Sequence, residues 1–177
     1  IVTFKDAVFA QENPKESLTD KKDNLVLYNN QYWPSAYSRK AWMYNVAIAK
    51  ECADLGFNEI QFDYVRFPDG TAGSKSKLNF HNTYNESKVA AIQGFLQYAK
   101  EELSQKEVYI AADMFAWPIV ACDDQDIGQF LPAIANIVDV VCPMPYLDHF
   151  NYGSFGIDYP SEEPYNTLTS FTKISKE

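Results

Sequence analysis

Short runs of apolar residues alternate along the chain with longer segments in which apolar residues recur at helical spacing. Runs rich in β-branched and aromatic residues predict strands at 1–4, 59–67, 108–115 and 138–142. Apolar residues at three- and four-residue steps predict helices at 38–55, 86–103, 127–131 with a restart at Pro132, and 167–177. This alternation of strand and helix is typical of a parallel sheet with right-handed crossovers.

The helix predicted at 38–55 has Ser38 as its N-terminal cap and Gly56 directly after its end. Its predicted buried stripe consists of Ala41, Tyr44, Ile48, Cys52 and Leu55. Long loops are expected at 10–37, 69–84 and 147–164, where Asn, Pro, Gly and Asp are frequent.

Two architectures fit this order of elements, a doubly wound sheet and a (β/α)8 TIM barrel. Barrel enzymes build their active sites at the C-terminal ends of their strands. Polar residues lie at or just past these ends on successive predicted strands: Lys5, Asp6, Asp63, Asp113 and Tyr146. No Gly-x-Gly-x-x-Gly or Walker loop follows a strand, which disfavours a nucleotide-binding sheet. We therefore predict an α/β, TIM-barrel-like fold.

The strand predicted at 59–67 carries the most distinctive residues of the chain. Because side chains alternate across a strand, Gln61, Asp63 and Val65 are expected on one face, and Ile60, Phe62 and Tyr64 on the other. The second set is apolar and is predicted to pack under helices. Gln61 and Asp63 are then expected to point into the barrel.

Asp113 is predicted to point inward from the next strand, so that two carboxyl groups face one cleft. Glycoside hydrolysis needs such a pair, one carboxyl protonated to donate to the leaving oxygen and one ionised as nucleophile or base. Arg66 would hold a carboxylate ionised or bind an acidic group of the substrate. The alternative is structural: Asp63 bonds loop amides and Arg66 is its partner.

Composition narrows the possible partners. The net charge of −9 and a pI near 4.7 argue against binding to nucleic acid or an anionic membrane. There is no Cys-x-x-Cys pair, and the chain contains only two histidines, so we predict no metal site and no cofactor. His149, beside Asp148, is open to interpretation as a ligand, a general base or a solvated loop histidine.

Several strings also resemble a known family. They are Val2–Asp6, Ala49–Glu51 with Gly56-Phe57, Glu59–Pro68, Ile127–Gln129, Pro143-Met144, Phe155–Ile157 and Pro164-Tyr165. Together they are similar to the bacterial "putative glycosyl hydrolase domain" family, a barrel family distantly similar to α-amylase-type glycosidases. The resemblance runs nearly from end to end, over 1–177, and Gln61–Pro68 is its most specific part.

The resemblance implies that Asp63 is the strongest active-site candidate, with Arg66 and Asp113 beside it. It also implies a carbohydrate substrate and an extracellular or cell-envelope location. The chain departs from the family pattern at Tyr146–Phe150 and at Phe115–Pro118, so its substrate-binding loops are expected to differ. The candidate substrate-binding residues are Arg66, Gln61, Tyr146, Trp33, Trp117, His149 and Asp6.

These observations favour a glycoside hydrolase acting on a polysaccharide, with Asp63 as nucleophile or general base and Asp113 as proton donor or substrate-orienting acid. A non-catalytic carbohydrate-binding barrel is the alternative, and a metal-dependent deacetylase or hydrolase is a third hypothesis. Both chain ends fall within predicted elements, so we expect the chain to be a piece of a longer barrel. Such a piece would be stable only with the rest of its barrel or with a covering chain.

Overall fold

A computed structural model describes residues 1–71 and 77–176. Its helices and strands, numbered in chain order, are α1 (Ala7–Glu12), β1 (Thr19–Asp20), α2 (Arg39–Asp54), β2 (Glu59–Phe62), β3 (Leu78–Asn79), α3 (Lys88–Leu103), β4 (Tyr109–Phe115), α4 (Ala116–Ala121), α5 (Leu131–Ala135), β5 (Val140–Met144) and α6 (Pro164–Ile174). Short 3-10 turns occur at Pro14–Glu16, Leu147–His149 and Ser154–Gly156.

The main sheet is parallel, with strand order β2-β4-β5. The first residues of the chain extend it beside β2, where Val2 forms a parallel bridge with Asp63 and the Thr3 amide donates to the Asp63 carbonyl at 2.8 Å. Four segments of the chain therefore lie side by side, in the same order as in the sequence, and point the same way. The predicted α/β fold with a parallel sheet is confirmed, and within the described residues the sheet is open and does not close into a barrel.

Helices α2 and α3 cover one face of this sheet, and the core forms between them. Phe95 of α3 lies at its centre, with its ring 5.2 Å from Phe4, 5.2 Å from Phe62 and 6.0 Å from Trp42. Burying each such aromatic ring contributes about 1.5–3 kcal/mol. The opposite face, which carries Gln61 and Asp113, has no covering helix among the described residues and exposes 63% of Tyr109.

The predicted extents of the two long helices are confirmed to within about two residues, and so is the predicted Ser38 cap. The Ser38 hydroxyl accepts from the Ala41 amide, and the Ser87 hydroxyl accepts from the Ala90 amide, both at 3.0 Å. Gly56 follows α2 with φ +97°, a conformation that favours glycine.

The prediction of which α2 residues are buried is wrong, because the buried face of the helix is rotated by about one residue. The residues that α2 buries are Ala41, Trp42, Asn45, Val46 and Ala49, whereas Tyr44 and Leu55 are exposed. Two hydrogen bonds explain the rotation, because the Trp42 indole donates to the Ala36 carbonyl at 2.8 Å and the Asn45 amide donates to the Thr3 carbonyl at 3.2 Å.

The strand predicted at 59–67 is also too long, because β2 ends at Phe62 and Tyr64 has φ +50°. The Asp63 carboxylate accepts the Tyr64 amide at 2.6 Å, and this bond turns the backbone out of the extended conformation. The alternation of faces therefore ends at Asp63. Tyr64 is not packed under the helices as predicted, and Val65 is fully buried rather than facing the cleft.

Other elements differ at their ends or were not predicted. The segment 10–37, which was expected to be a loop, contains the last residues of α1 and the whole of β1. Strand β1 pairs antiparallel with β3. Helix α4 follows β4 directly, α5 begins at Leu131 rather than at residue 127, and α6 begins at Pro164. Residues 72–76 of the predicted loop 69–84, and residue 177 of the last predicted helix, lie outside the described residues. No helix of the described ranges combines the length and apolar character needed to cross a membrane.

Gly128 anchors the loop between α4 and α5 against α3. Its φ is +82°, and a Cβ atom at this position would lie 2.8 Å from both the Ile92 Cγ1 and the Lys88 carbonyl oxygen. The neighbouring Ile127 carbonyl accepts from the Phe67 amide at 2.9 Å. The close approach therefore holds two loops at the C-terminal end of the sheet.

Replacing Gly128 with alanine should lower the free energy of unfolding by about 2–4 kcal/mol, because it adds left-handed backbone strain to overpacking. Gly153 is the matched control, since its φ is +79° and a Cβ atom added there would meet no neighbouring atom within 4 Å. Gly153→Ala should cost only about 1–2 kcal/mol, the backbone strain alone. Urea unfolding of the two full-length variants measures the difference, and equal losses would contradict the tight contact at Gly128.

Candidate active site

Asp113 lies within β4 and is only 7% exposed. Its Oδ1 accepts a 2.6 Å hydrogen bond from the Gln61 side-chain amide, which reaches across from β2. Burial raises the pKa of the Asp113 carboxyl, the Gln61 hydrogen bond partly opposes this rise, and the negative charge of Asp63 adds to it. Asp113 is therefore a carboxyl group that keeps its proton to higher pH than an ordinary aspartate.

Asp63 lies beside Asp113 on the same side of the sheet. The β2–β4 register pairs Gln61 with Ala111 and Phe62 with Ala112, so its continuation brings Asp63 next to Asp113. Neighbouring strands are about 4.8 Å apart. Asp63 is half-buried, and its Oδ1 accepts the Tyr64 amide. The predicted pair of carboxyl groups is thus brought together at the C-terminal end of the sheet.

Arg66 is buried against this end of the sheet, among aromatic rings. Its guanidinium carbon lies 4.3 Å from the Phe115 ring centre, 5.2 Å from that of Tyr64 and 5.3 Å from that of Trp33. Burial lowers the pKa of the guanidinium, and the charge of Asp69 opposes this effect. The group remains a cation at neutral pH, since a guanidinium group holds its proton far above neutrality.

The hydrogen bonds of Arg66 go to its own loop. Its Nη1 donates to the Phe67 carbonyl at 3.0 Å and to the Asp69 carboxylate at 3.3 Å. Asp69, not Asp63, is therefore its ion-pair partner. Arg66 fixes the loop after β2 and adds positive charge near Asp63.

Gln129 is a fully buried residue to which the sequence interpretation gave no role. Its Oε1 accepts from the Phe115 amide at 2.9 Å, and its Nε2 donates to the Asp113 carbonyl at 2.8 Å and the Val65 carbonyl at 3.4 Å. One side chain thus ties the end of β4 to the loop that carries Arg66. The string Ile127–Gln129, part of the family resemblance, was the available signal.

An aromatic cleft of about 370 Å³ opens just beyond β4. Its lining includes Phe115, Trp117 and His149, with Asp69 and Gln125 as polar members. The Trp117 indole donates to the His149 carbonyl at 2.9 Å, which joins the two loops. Predicted site residues Trp117 and His149 therefore come together.

Tyr146 completes this group from the loop after β5. It is 51% exposed, and its ring lies 5.2 Å from that of His149. Aromatic faces of this kind are suited to stacking against the apolar CH groups of a sugar ring. The three predicted residues Trp117, Tyr146 and His149 thus form one accessible wall.

Two other predicted substrate-binding residues occupy structural positions. Trp33 is 2% exposed, its indole donates to the Tyr28 carbonyl at 3.0 Å, and it packs against Tyr64 beneath Arg66. Asp6 caps α1, accepting the Phe9 amide at 2.9 Å. Neither arrangement presents the side chain to the aromatic cleft.

Lys5 and Tyr64 are further residues of the site. The sequence placed Lys5 at a strand end without giving it a role, and it placed Tyr64 on the face packed under helices. The Lys5 ammonium donates to the Tyr64 hydroxyl at 2.9 Å and lies 4.2 Å from the centre of its ring. Both follow the C-terminal ends of adjacent strand segments. Within residues 1–71 and 77–176 there is no group of three or more His, Cys, Asp and Glu side chains arranged to hold a metal ion.

Comparison with known proteins adds to this geometry. A solved structure similar to the chain is the crystal structure of a hypothetical protein from Ruminiclostridium thermocellum ATCC 27405, with 34% sequence identity and a TM-score of 0.55. The match covers 63% of this chain and 55% of that one, so it spans little more than half the length of the other protein. No curated protein matches.

The family model described as "Putative glycosyl hydrolase domain" matches residues 1–177. It is the family that the sequence strings resemble, and it covers every residue of the chain. The chain belongs to this family.

Proposed function

We propose that this chain forms the catalytic region of a glycoside hydrolase that cleaves a polysaccharide, with Asp113 as proton donor and Asp63 as nucleophile or general base. The observation that carries the proposal is the buried Asp113 carboxyl, whose pKa is raised beside a second carboxylate. Neighbouring carboxyl groups whose environments divide them into acid and base are the requirement of glycosidic hydrolysis.

In this mechanism the Asp113 proton passes to the oxygen of the glycosidic bond as that bond breaks. Asp63 acts in one of two ways. It attacks the anomeric carbon and forms a glycosyl ester, which water then hydrolyses as the Asp113 carboxylate takes a proton from that water, or it removes a proton from a water molecule that attacks the anomeric carbon itself. Gln61 holds the Asp113 carboxyl in position through its 2.6 Å hydrogen bond. Each proton and electron pair is thereby accounted for by groups of this chain and one water molecule.

We also propose that the open sheet is an arc of a (β/α)8 barrel. Support comes from its parallel segments, which lie in the same order as in the chain, and from the polar groups at their C-terminal ends. The uncovered face, with Gln61, Tyr109 and Asp113, would then be the barrel interior. Strands outside these 177 residues would close it.

A non-catalytic carbohydrate-binding role is the second candidate. The observation that favours it is the cleft around Trp117, which is held by the Trp117–His149 hydrogen bond and does not depend on the carboxyl pair. In both candidates the wall of Trp117, Tyr146 and His149 binds sugar. The two candidate functions differ in whether Asp63 and Asp113 then cleave the bound sugar.

Replacing either Asp63 or Asp113 with asparagine should lower kcat on a polysaccharide substrate by about 10²–10⁴-fold, the usual contribution of one acid or base. Asp54→Asn, at the exposed end of α2 that precedes β2, is the control and should keep full activity. Reducing-sugar release by the full-length variants gives the rates. Hydrolysis by Asp113→Asn at the wild-type rate would refute its role as proton donor.

Two substitutions should shift the pKa of Asp113, and with it the pH dependence of kcat/KM, in opposite directions. Gln61 donates to the ionised Asp113 carboxylate, so Gln61→Met should raise the pKa of Asp113 and move the alkaline limb of kcat/KM to higher pH. Asp63→Asn removes a negative charge and should lower that pKa.

Carbon-13 NMR titration of the Asp113 carboxyl measures both shifts, including in the inactive Asp63→Asn variant. Gln105→Met, at an exposed position after α3, is the matched control and should leave the titration unchanged. If the pKa of Asp113 moved in the same direction in Gln61→Met and Asp63→Asn, the proposed effects of the Gln61 hydrogen bond and the Asp63 charge would be wrong.

Trp117→Ala should raise KM by about tenfold, equivalent to ~1.4 kcal/mol of lost binding, with a smaller change in kcat. Trp117→Phe keeps a stacking ring and should retain most of the affinity, whereas Tyr165→Ala, at an 81% exposed position on α6, should change nothing. If Asp63→Asn and Asp113→Asn bind glycan normally and the wild type cleaves none, the binding role is correct instead.

A further inference from the structure

We infer that the site is built for an acidic glycan, and that Lys5 together with Tyr64 binds the carboxylate of a uronic acid next to the scissile bond. This inference rests on the proposed glycoside hydrolase function and adds the substrate class to it.

Tyr64 has an unusual backbone conformation for a bulky residue. Its φ of +50° lies in the left-handed region, where a residue with a side chain is strained. The bond between its amide and the Asp63 carboxylate holds this conformation. As a result the phenol leaves the helix-covered face and lies at the C-terminal end of the sheet, directly after Asp63.

Lys5 reaches the same phenol from the neighbouring segment. The Phe4 amide donates to the Tyr64 carbonyl at 3.1 Å, which fixes the two backbones against each other. The Lys5 ammonium then donates to the Tyr64 hydroxyl at 2.9 Å. Because the hydroxyl accepts this bond, its own proton can be donated elsewhere, and the ammonium retains further N–H donors.

Arg66 approaches the ring of Tyr64 as well, with its guanidinium carbon 5.2 Å from the ring centre. Two cations therefore flank one ring, although the chain has 24 acidic and only 15 basic residues. Arg66 is neutralised by Asp69 at 3.3 Å. Among the described residues the ion pairs within 4 Å do not include Lys5, so its charge faces the site without a carboxylate partner.

An acidic sugar would complete this arrangement. Covering Lys5 with a neutral sugar would remove water from the ammonium group without supplying a negative charge to balance it. Such desolvation is unfavourable in free energy. A carboxylate would instead accept charge-assisted hydrogen bonds from Lys5 and from the Tyr64 hydroxyl. The position of Tyr64 directly after Asp63 puts this contact next to the sugar on which Asp63 acts.

The test compares each acidic substrate with its neutral methyl ester. The full-length protein is assayed on tetragalacturonate and a hyaluronan tetrasaccharide, on the carboxyl methyl esters of both, and on a neutral tetrasaccharide with and without added sulfate groups. We expect at least one free acid to be cleaved with a kcat/KM about tenfold or more above that of its ester, the scale of one charge-assisted hydrogen bond.

Variants then assign the preference to Lys5. Lys5→Gln should raise KM for the free acid by about tenfold with little change in kcat and no change for the ester, while Lys5→Arg should restore most of the affinity. Tyr64→Phe should raise KM for the same acid in the same direction. Lys106→Gln, at the opposite end of the sheet, is the control and should match the wild type.

Several results would overturn the inference. Equal cleavage of acid and ester, an equal effect of Lys5→Gln on both, or a preference for the sulfated probe would reject the uronic acid while leaving the hydrolase proposal intact. Cleavage of only neutral glycans would do the same. Absence of cleavage of any acidic or neutral glycan by the wild type would reject the inference and the proposed function together.

Discussion

The parallel pairing of β2 with β4 is the constraint on which the site depends. Its register brings Gln61 beside Ala111 and directs the Gln61 amide onto the Asp113 carboxylate at 2.6 Å. A slip of one residue between the two strands would turn either Gln61 or Asp113 toward the helices, where Phe62 and Ala112 now pack. The apolar face buried under α2 and α3 therefore fixes the register, and the register in turn forms the carboxyl pair.

Beyond the strand ends, side chains rather than backbone pairing hold the loops in place. Gln129 joins the end of β4 to the loop after β2, and Gly128 lets the loop containing it approach α3 closely. Asp63 contributes by accepting the Tyr64 amide, so the proposed catalytic residue also shapes its own surroundings. Catalytic groups need such fixed neighbours, because small displacements weaken proton transfer strongly.

Much of the fold was predictable because it depends on local patterns. The extent of α3 and the position of Asp113 on the same face of the sheet as Gln61 follow from periodicity and alternation alone. The Tyr64 conformation was not predictable, since alternation assumes an extended backbone and here one side-chain hydrogen bond overrides it. The face of α2 and the burial of Trp33 were missed for a related reason: contacts with distant residues, such as Asn45 with Thr3, decide them.

The most direct test of the account is a crystal structure of the full-length Asp113→Asn protein with a bound oligosaccharide substrate. The measured quantities are the distances from residue 113 to the glycosidic oxygen and from Asp63 to the anomeric carbon. The account predicts a glycosidic oxygen within about 3 Å of the residue 113 side chain and an anomeric carbon that faces Asp63. A sugar bound only along Trp117 and Tyr146, with neither aspartate position near a glycosidic bond, would contradict it.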